Sequence, residues 1–186
     1  MDYLKCKICG MEINERNFNL NEEAFINKNS IDNIIHCPFC GVGKEYLSES
    51  NEIITVQSDS FDENTLKILD HAVKLEIFNG DFYNTAAMKA KNDKVKKVFG
   101  ALSKIEICHS KIHQRLGDFI KAPNLSKVSY DRYDSDSALL QLAKQKEEHA
   151  VGYYEKYKDQ VNDSNLFEIF AALAGVEKEH IILVEE

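Results

Sequence analysis

From Ile68 onward the chain is one unit written twice. Glu76, Phe82, Tyr83, Phe99, Glu106 and His109 recur 71 positions later as Glu147, Tyr153, Tyr154, Phe170, Glu177 and His180. Each copy carries a Glu and, thirty positions on, a Glu-x-x-His, and the second copy keeps that spacing without a one-residue slip. Such a duplication restricts the fold to one built from two equivalent halves. It also marks where the chemistry lies. Only six His occur in 186 residues, and two of them fall three places after a Glu at the same point of both copies.

Each half reads as a helical hairpin. Ser60-Phe61-Asp62-Glu63 has capping-box spacing, and apolar residues then recur with helical period at Leu66, Leu69, Val73 and Ile77. The pattern predicts helices over about 62–91, 94–120, 136–160 and 164–184. Asn92-Asp93 and Asn162-Asp163-Ser164 supply the tight turns of two antiparallel pairs. Between the copies, from about Lys121 to Ser135, Pro123 and several Ser and Asp interrupt the period. About 15 extended residues reach up to ~50 Å and a 28-residue helix is ~42 Å long, so this segment can cross the whole bundle. Two hairpins and one long crossover make a mainly α four-helix bundle that is not simply up-down-up-down.

Residues three apart on a helix share a face, so Glu106 with His109, and Glu177 with His180, can present side chains to a common point. Glu76 lies on an apolar stripe with Leu69, Ala72, Val73, Tyr83 and Ala87, and Glu147 lies among Leu140, Ala143, Ala150 and Tyr154. An unpaired buried carboxylate costs several kcal/mol, and four at one level also repel one another. Two divalent cations remove both objections: four carboxylates balance the charge and two imidazoles complete the ligand set. Thirty residues with a turn midway bring the chain back to the height at which it started, so all four helices converge on one mid-bundle site.

A Glu from each of two helices and a Glu-x-x-His from each of the other two is the ligand pattern of di-iron and di-manganese carboxylate bundles. On these residues, 64–186 resemble the rubrerythrin and broader ferritin-like di-iron family. The resemblance implies two iron ions held by Glu76, Glu106, His109, Glu147, Glu177 and His180, which would also be the catalytic residues. Tyr83 and Tyr154 follow Glu76 and Glu147 by two turns on the same face. They read either as hydrogen-bond donors to carboxylates or as aromatic core packing.

Residues 1–55 differ from the bundle assigned to 60–186. Cys6-Lys7-Ile8-Cys9-Gly10 and Cys37-Pro38-Phe39-Cys40-Gly41 are two metal knuckles, each with a Gly that permits the tight turn. Four thiolates at this spacing point to one tetrahedral metal, iron or zinc, rather than to disulfides. The second knuckle, through Val42-Gly43-Lys44, resembles that of rubredoxin, which favours iron. Met11 and the absence of Trp depart from rubredoxin, and a structural zinc ribbon is the alternative. The rubredoxin-like module precedes the bundle, as in reversed members of the rubrerythrin family. Lys144 stands where rubrerythrins carry an extra carboxylate.

A formal net charge of -8 repels phosphate backbones and anionic membranes, so neither nucleic acid nor membrane is an expected partner. No run approaches the roughly 20 apolar residues of a membrane span, and Met1-Asp2-Tyr3-Leu4-Lys5 lacks an apolar signal core, which suggests the cytoplasm. Cys108 is expected at a partly exposed position facing away from the paired metals. His36, His71, His113 and His149 have no match in the other copy and are expected to be structural or solvated, although His113, one turn beyond His109, can also lie behind the ligands. Gly80 marks a bulge or a close helix contact.

The resemblance implies a di-iron peroxidase that reduces hydrogen peroxide to water, with hydrogen peroxide or dioxygen as the small-molecule partner and electrons from an unidentified donor relayed through the Cys₄ iron. The alternative is an iron-handling, metal-binding protein with a structural zinc ribbon. A module beyond the end of a ~40 Å bundle would not reach its own metals, and the resemblance implies the arrangement by which family members solve this, a head-to-tail homodimer.

Overall fold

The structure, a computed structural model, describes residues 4–185; Met1–Tyr3, the start of the run read for a signal core, and Glu186 lie outside it. Four long helices follow a small β-containing module: α1 (Glu63–Lys89), α2 (Asp93–Leu116), α3 (Asp136–Tyr157) and α4 (Ser164–Glu185). None of the described helices is long and apolar enough to cross a membrane.

Polar side chains open each helix by taking up backbone N–H groups that have no intrahelical partner. The α1 cap is Asp62, whose carboxylate accepts from Thr65 N at 2.7 Å. Ser60, the first residue of the expected capping box, instead closes the preceding 3₁₀ turn by donating to the Gln57 carbonyl. Asn92, Ser135 and Asp163 cap the other three helices. α2 stops four residues before its expected end. There Asp118 takes a left-handed φ of 52°, Phe119 N–H donates to Gln114 O, and Asp118 N–H donates to Arg115 O. That pair of bonds is a Schellman ending, with Asp in the place Gly usually occupies.

The crossover is visible at both ends of the bundle. Asp136, at the start of α3, accepts from Lys91 N and Asn92 N in the α1–α2 turn, at 2.7 and 2.8 Å. Thr65, at the start of α1, donates to Asn162 in the α3–α4 turn at 2.9 Å. The chain leaving α2 must therefore traverse the bundle to begin α3. Tyr130 in that traverse is buried edge-on against Phe82. The buried face of α1 runs through Ile68, Leu69, Ala72, Val73, Glu76 and Tyr83, whereas Leu66 and Ile77 of the expected stripe are only half-buried. Gly80 makes no bulge: a Cβ there would stand 2.7 Å from Ile107 Cδ1, so its role is close α1–α2 packing.

The module is a three-stranded antiparallel sheet of β1 (Leu4–Cys6), β2 (Glu12–Ile13) and β3 (Leu47–Ser48), in the order β2-β1-β3, with two knuckle loops. It does not sit beyond the end of the bundle, as expected, but against the flanks of α2 and α4. Arg115 donates to Ile8 O at 2.5 Å, and the module's buried side chains continue into the bundle core. Gly41, at φ +81°, lies so near α4 that a Cβ would stand 2.6 Å from Val176 Cγ1. The module thus reaches its own bundle, which removes the geometric reason for a head-to-tail dimer.

Candidate metal centres

Glu76, Glu106, Glu147 and Glu177 lie near the middles of α1, α2, α3 and α4, and together with His109 and His180 they are at most 1 % exposed. Their ligand atoms form two overlapping groups within 4.8 Å: Glu76, Glu106, His109 and Glu177, and then Glu106, Glu147, Glu177 and His180. Glu106 and Glu177 belong to both groups, while each copy adds one private Glu and one His. His109 Nδ1 stands 2.9 Å from Glu177 Oε1 without the alignment of a hydrogen bond. His180 Nδ1 lies 3.0 Å from Glu177 Oε2 and 3.3 Å from Glu106 Oε1.

The residues fit a pair of metal ions. Glu76 Oε2, both Glu106 oxygens, Glu147 Oε2, Glu177 Oε1 and His109 Nδ1 are buried without a hydrogen-bond partner among the described residues. Buried polar atoms are rarely left so, and these converge on common points. Burial, and then the neighbouring carboxylates, push the Glu76, Glu106 and Glu147 carboxyls well above the usual range. Burial acts the same way on Glu177, but the two imidazoles, His109 foremost, outweigh it and hold its carboxyl low. Both imidazoles are raised despite burial, through Glu177.

Behind these groups the tyrosines cross between copies. Tyr83 of the first donates to Glu147 Oε1 of the second, and Tyr154 of the second donates to Glu76 Oε1 of the first. Each bond occupies one oxygen and leaves the other, Oε2, facing inward without a partner. His113 Nε2 lies 2.7 Å from the Tyr154 hydroxyl. Burial pushes the His113 pKa down to about 3. The ring is therefore neutral near pH 7, and because the tyrosine proton goes to Glu76, His113 Nε2 carries the hydrogen and donates. His36 is buried against Phe25, while His71 and His149 are exposed. Lys144 points outward and pairs with Glu185.

The four module cysteines converge separately. Gly10 N–H donates to Cys6 O and Gly41 N–H to Cys37 O, each at 2.9 Å, so the knuckles share one backbone turn. Cys6 and Cys40 sulfurs are 3.6 Å apart, and those of Cys9 and Cys37 3.7 Å. Metal–sulfur bonds of ~2.3 Å put sulfurs about 3.8 Å apart in a tetrahedron, so the set suits zinc or iron. Cys6, Cys37 and Cys40 are wholly buried and Cys9 is partly exposed. Cys108 faces away from the carboxylates, as expected, but it lies under the first knuckle, where its thiol interacts with Cys9. Between the two sites runs one direct bond: His109 Nε2 donates to the Cys40 carbonyl at 2.8 Å. This fixes the tautomer with the Nδ1 lone pair toward the carboxylates.

Sequence reasoning missed the Cys40 carbonyl and left the place of His113 open. The one signal for His113 was its position on the buried stripe of α2, one turn past His109.

The ferritin-like domain family matches residues 64–185. At its N-terminus the chain is similar to a protein of Methanothermobacter thermautotrophicus named "Putative rubredoxin", 45% identical over 47 residues, which is 25% of this chain and 21% of that protein. The chain therefore matches about a fifth of that relative's length. No solved structure matches the chain. With two buried Glu/His groups in the matched bundle and a four-Cys site ahead of it, the chain belongs to the ferritin-like domain family as a rubrerythrin-like protein with an N-terminal, rubredoxin-like Cys module.

Proposed function

We propose that this protein is a non-haem di-iron oxidoreductase that reduces hydrogen peroxide to water, with electrons relayed through an iron held by Cys6, Cys9, Cys37 and Cys40. The observation that carries the reading is the hydrogen bond from His109 Nε2 to the Cys40 carbonyl. It joins a ligand of one site to the backbone of a ligand of the other. The link supports a short through-bond path between the two sites, and the rubredoxin-like knuckles favour iron as the metal at its outer end.

Iron in the carboxylate site supplies one electron from each of two ions, enough with two protons to convert one peroxide molecule into two waters. The chain's own part is positional. Glu106 and Glu177 belong to both groups and so set the spacing of the pair. Tyr83 and Tyr154 hold Glu147 and Glu76 with one oxygen turned inward. Leu69, Ile105, Phe99, Phe170 and Leu173, all fully buried, belong to the core that keeps bulk water from the site. His109 presents Nδ1 to the carboxylates while its other nitrogen is tied to the module. Because that tie lies within one chain, the relay requires no second copy.

The test is to load the protein with iron, reduce it without oxygen, add peroxide and follow the absorption of both centres. The carboxylate centre should oxidise within seconds and the Cys₄ iron after it. A carboxylate centre that stays reduced ends the peroxidase reading. Zinc in the Cys₄ site of the native protein ends the relay and leaves the iron-handling alternative.

A further inference from the structure

Lys97, Lys104 and Lys111 recur at seven-residue spacing on α2 and therefore share a face, and all three are exposed. The helix also carries Lys94, Lys96 and Arg115 against a single exposed acid, Asp93, since its Glu106 is buried. On a chain of net charge -8 this is a local reversal of sign. Lys96 pairs with Asp93, whereas Lys104 and Lys111 meet no carboxylate among the described residues.

Lys104 and Lys111 border a groove of 320 Å³ between α2 and the module, with apolar walls from Met11, Leu20, Phe39 and Ile107 and no carboxylate in its lining. Met11 and Leu20 are 44% and 43% exposed. The groove lies over the Cys₄ site. Met11 follows Cys9 by two residues, Phe39 sits between Cys37 and Cys40, and Cys108 lies in the groove wall beside Cys9, the one partly exposed cysteine of the four.

We propose that this groove is the docking surface for a small acidic electron-carrier protein, whose apolar cofactor edge covers Met11, Leu20 and Phe39 while its carboxylates meet Lys104 and Lys111. The proposal rests on the relay described above and adds where electrons are delivered and by what kind of partner. Opposite charge around a small apolar contact gives fast, salt-sensitive and short-lived association, as a carrier requires. A second copy of this chain fits less well. A two-fold pair would set the same patch on both partners and bring lysine against lysine.

The test uses the metal-loaded full chain with flavodoxin, an acidic flavin protein, as probe, and measures binding by thermophoresis. Affinity should fall at least about tenfold between low and high salt, and at least about tenfold at low salt in K104E/K111E. K121E/K127E, with the same charge change on the crossover, should alter it less than about twofold. Equal binding by the unaltered protein and K104E/K111E overturns the proposal. So does a dimer that K104E/K111E dissociates while flavodoxin fails to bind. Reduction of the Cys₄ iron by reduced flavodoxin, followed in the same samples, separates the two readings. A probe that binds in a Lys104- and Lys111-dependent way yet leaves the iron oxidised supports the surface and sinks the relay. Equal reduction rates in both proteins sink the surface and not the relay.

Discussion

In the first hairpin the outer nitrogen of His109 donates to Cys40, whereas the outer nitrogen of His180 in the second has no hydrogen-bond partner among the described residues. Behind Tyr154 stands His113, while Val184 occupies the matching place in the second copy. Yet the ligand sets are alike: each copy gives two carboxylates and one imidazole, and each tyrosine reaches across to the other copy. Duplication has kept what faces the metals and relaxed what lies behind them. Part of the difference lies on the side where the Cys module docks, so the two Glu/His groups have equivalent ligands but unequal surroundings.

The strongest way to break that symmetry is to remove a carboxylate that both groups share. E106Q should empty both positions of the carboxylate centre and lower peroxide consumption by more than about 100-fold, since loss of groups merely behind the ligands already costs 10–100-fold. E147Q, which touches one group, should leave one metal in place. Metal content by mass spectrometry decides it: equal losses in the two variants would mean that Glu106 is not shared.

Removing the metals should also invert the response to pH. Glu76, Glu106 and Glu147 have folded-state pKa values raised by burial, as His109 and His180 have through Glu177. A raised group gives stability that is complete below its unfolded pKa and lost as pH rises through the folded one. Glu177, held low, acts in the opposite sense but is outnumbered. The metal-free protein should therefore lose several degrees of Tm between about pH 5 and about pH 8, and the metal-loaded protein should not. A metal-free Tm that rises over this range would show that the carboxylates are not the source of the strain.

These expectations were open to sequence reasoning because they concern what is repeated. Apolar period located four helices, and the 71-residue offset picked out six side chains that the fold does bring together. What stayed hidden was what occurs once. Arg115 meets Ile8 across 107 positions, and Gly41 meets Val176, with no periodicity to announce either contact. The Schellman ending at Asp118 shortened α2 because a left-handed Asp is a matter of local hydrogen bonding that composition does not signal. His113 and Cys108 have no counterparts, so symmetry left the place of His113 open and did not announce that Cys108 lies under the first knuckle.

The two knuckles offer a smaller test, since they share a turn but not surroundings. A Cβ at Gly41 would strike Val176 on α4, whereas one at Gly10 would meet the end of Arg115 at 3.4 Å and Ile53 Cγ2 at an ordinary 3.7 Å. Both glycines have positive φ, so each alanine costs about 1 kcal/mol from the backbone. G41A should add about 1–3 kcal/mol from overpacking and loosen the module on the bundle. Limited proteolysis of the module should rise in G41A far more than in G10A, with the bundle metals retained in both. Similar proteolysis would mean that the module is held chiefly through Arg115.

The finest difference lies between the tyrosines. Y83F removes one hydrogen bond to Glu147. Y154F removes the equivalent bond to Glu76 and in addition strands the His113 Nε2–H, which is buried and has no other acceptor among the described residues. A buried donor left without a partner costs about 1–3 kcal/mol, so in the metal-loaded protein Y154F should be the more destabilising by about that amount. Replacing His113 by the valine found at position 184 removes the stranded group. In an H113V background Y154F should then cost no more than Y83F, as measured by denaturant midpoint at constant slope. If the gap persists there, the asymmetry does not originate in His113, and the hold of Cys40 on His109 becomes the place to look.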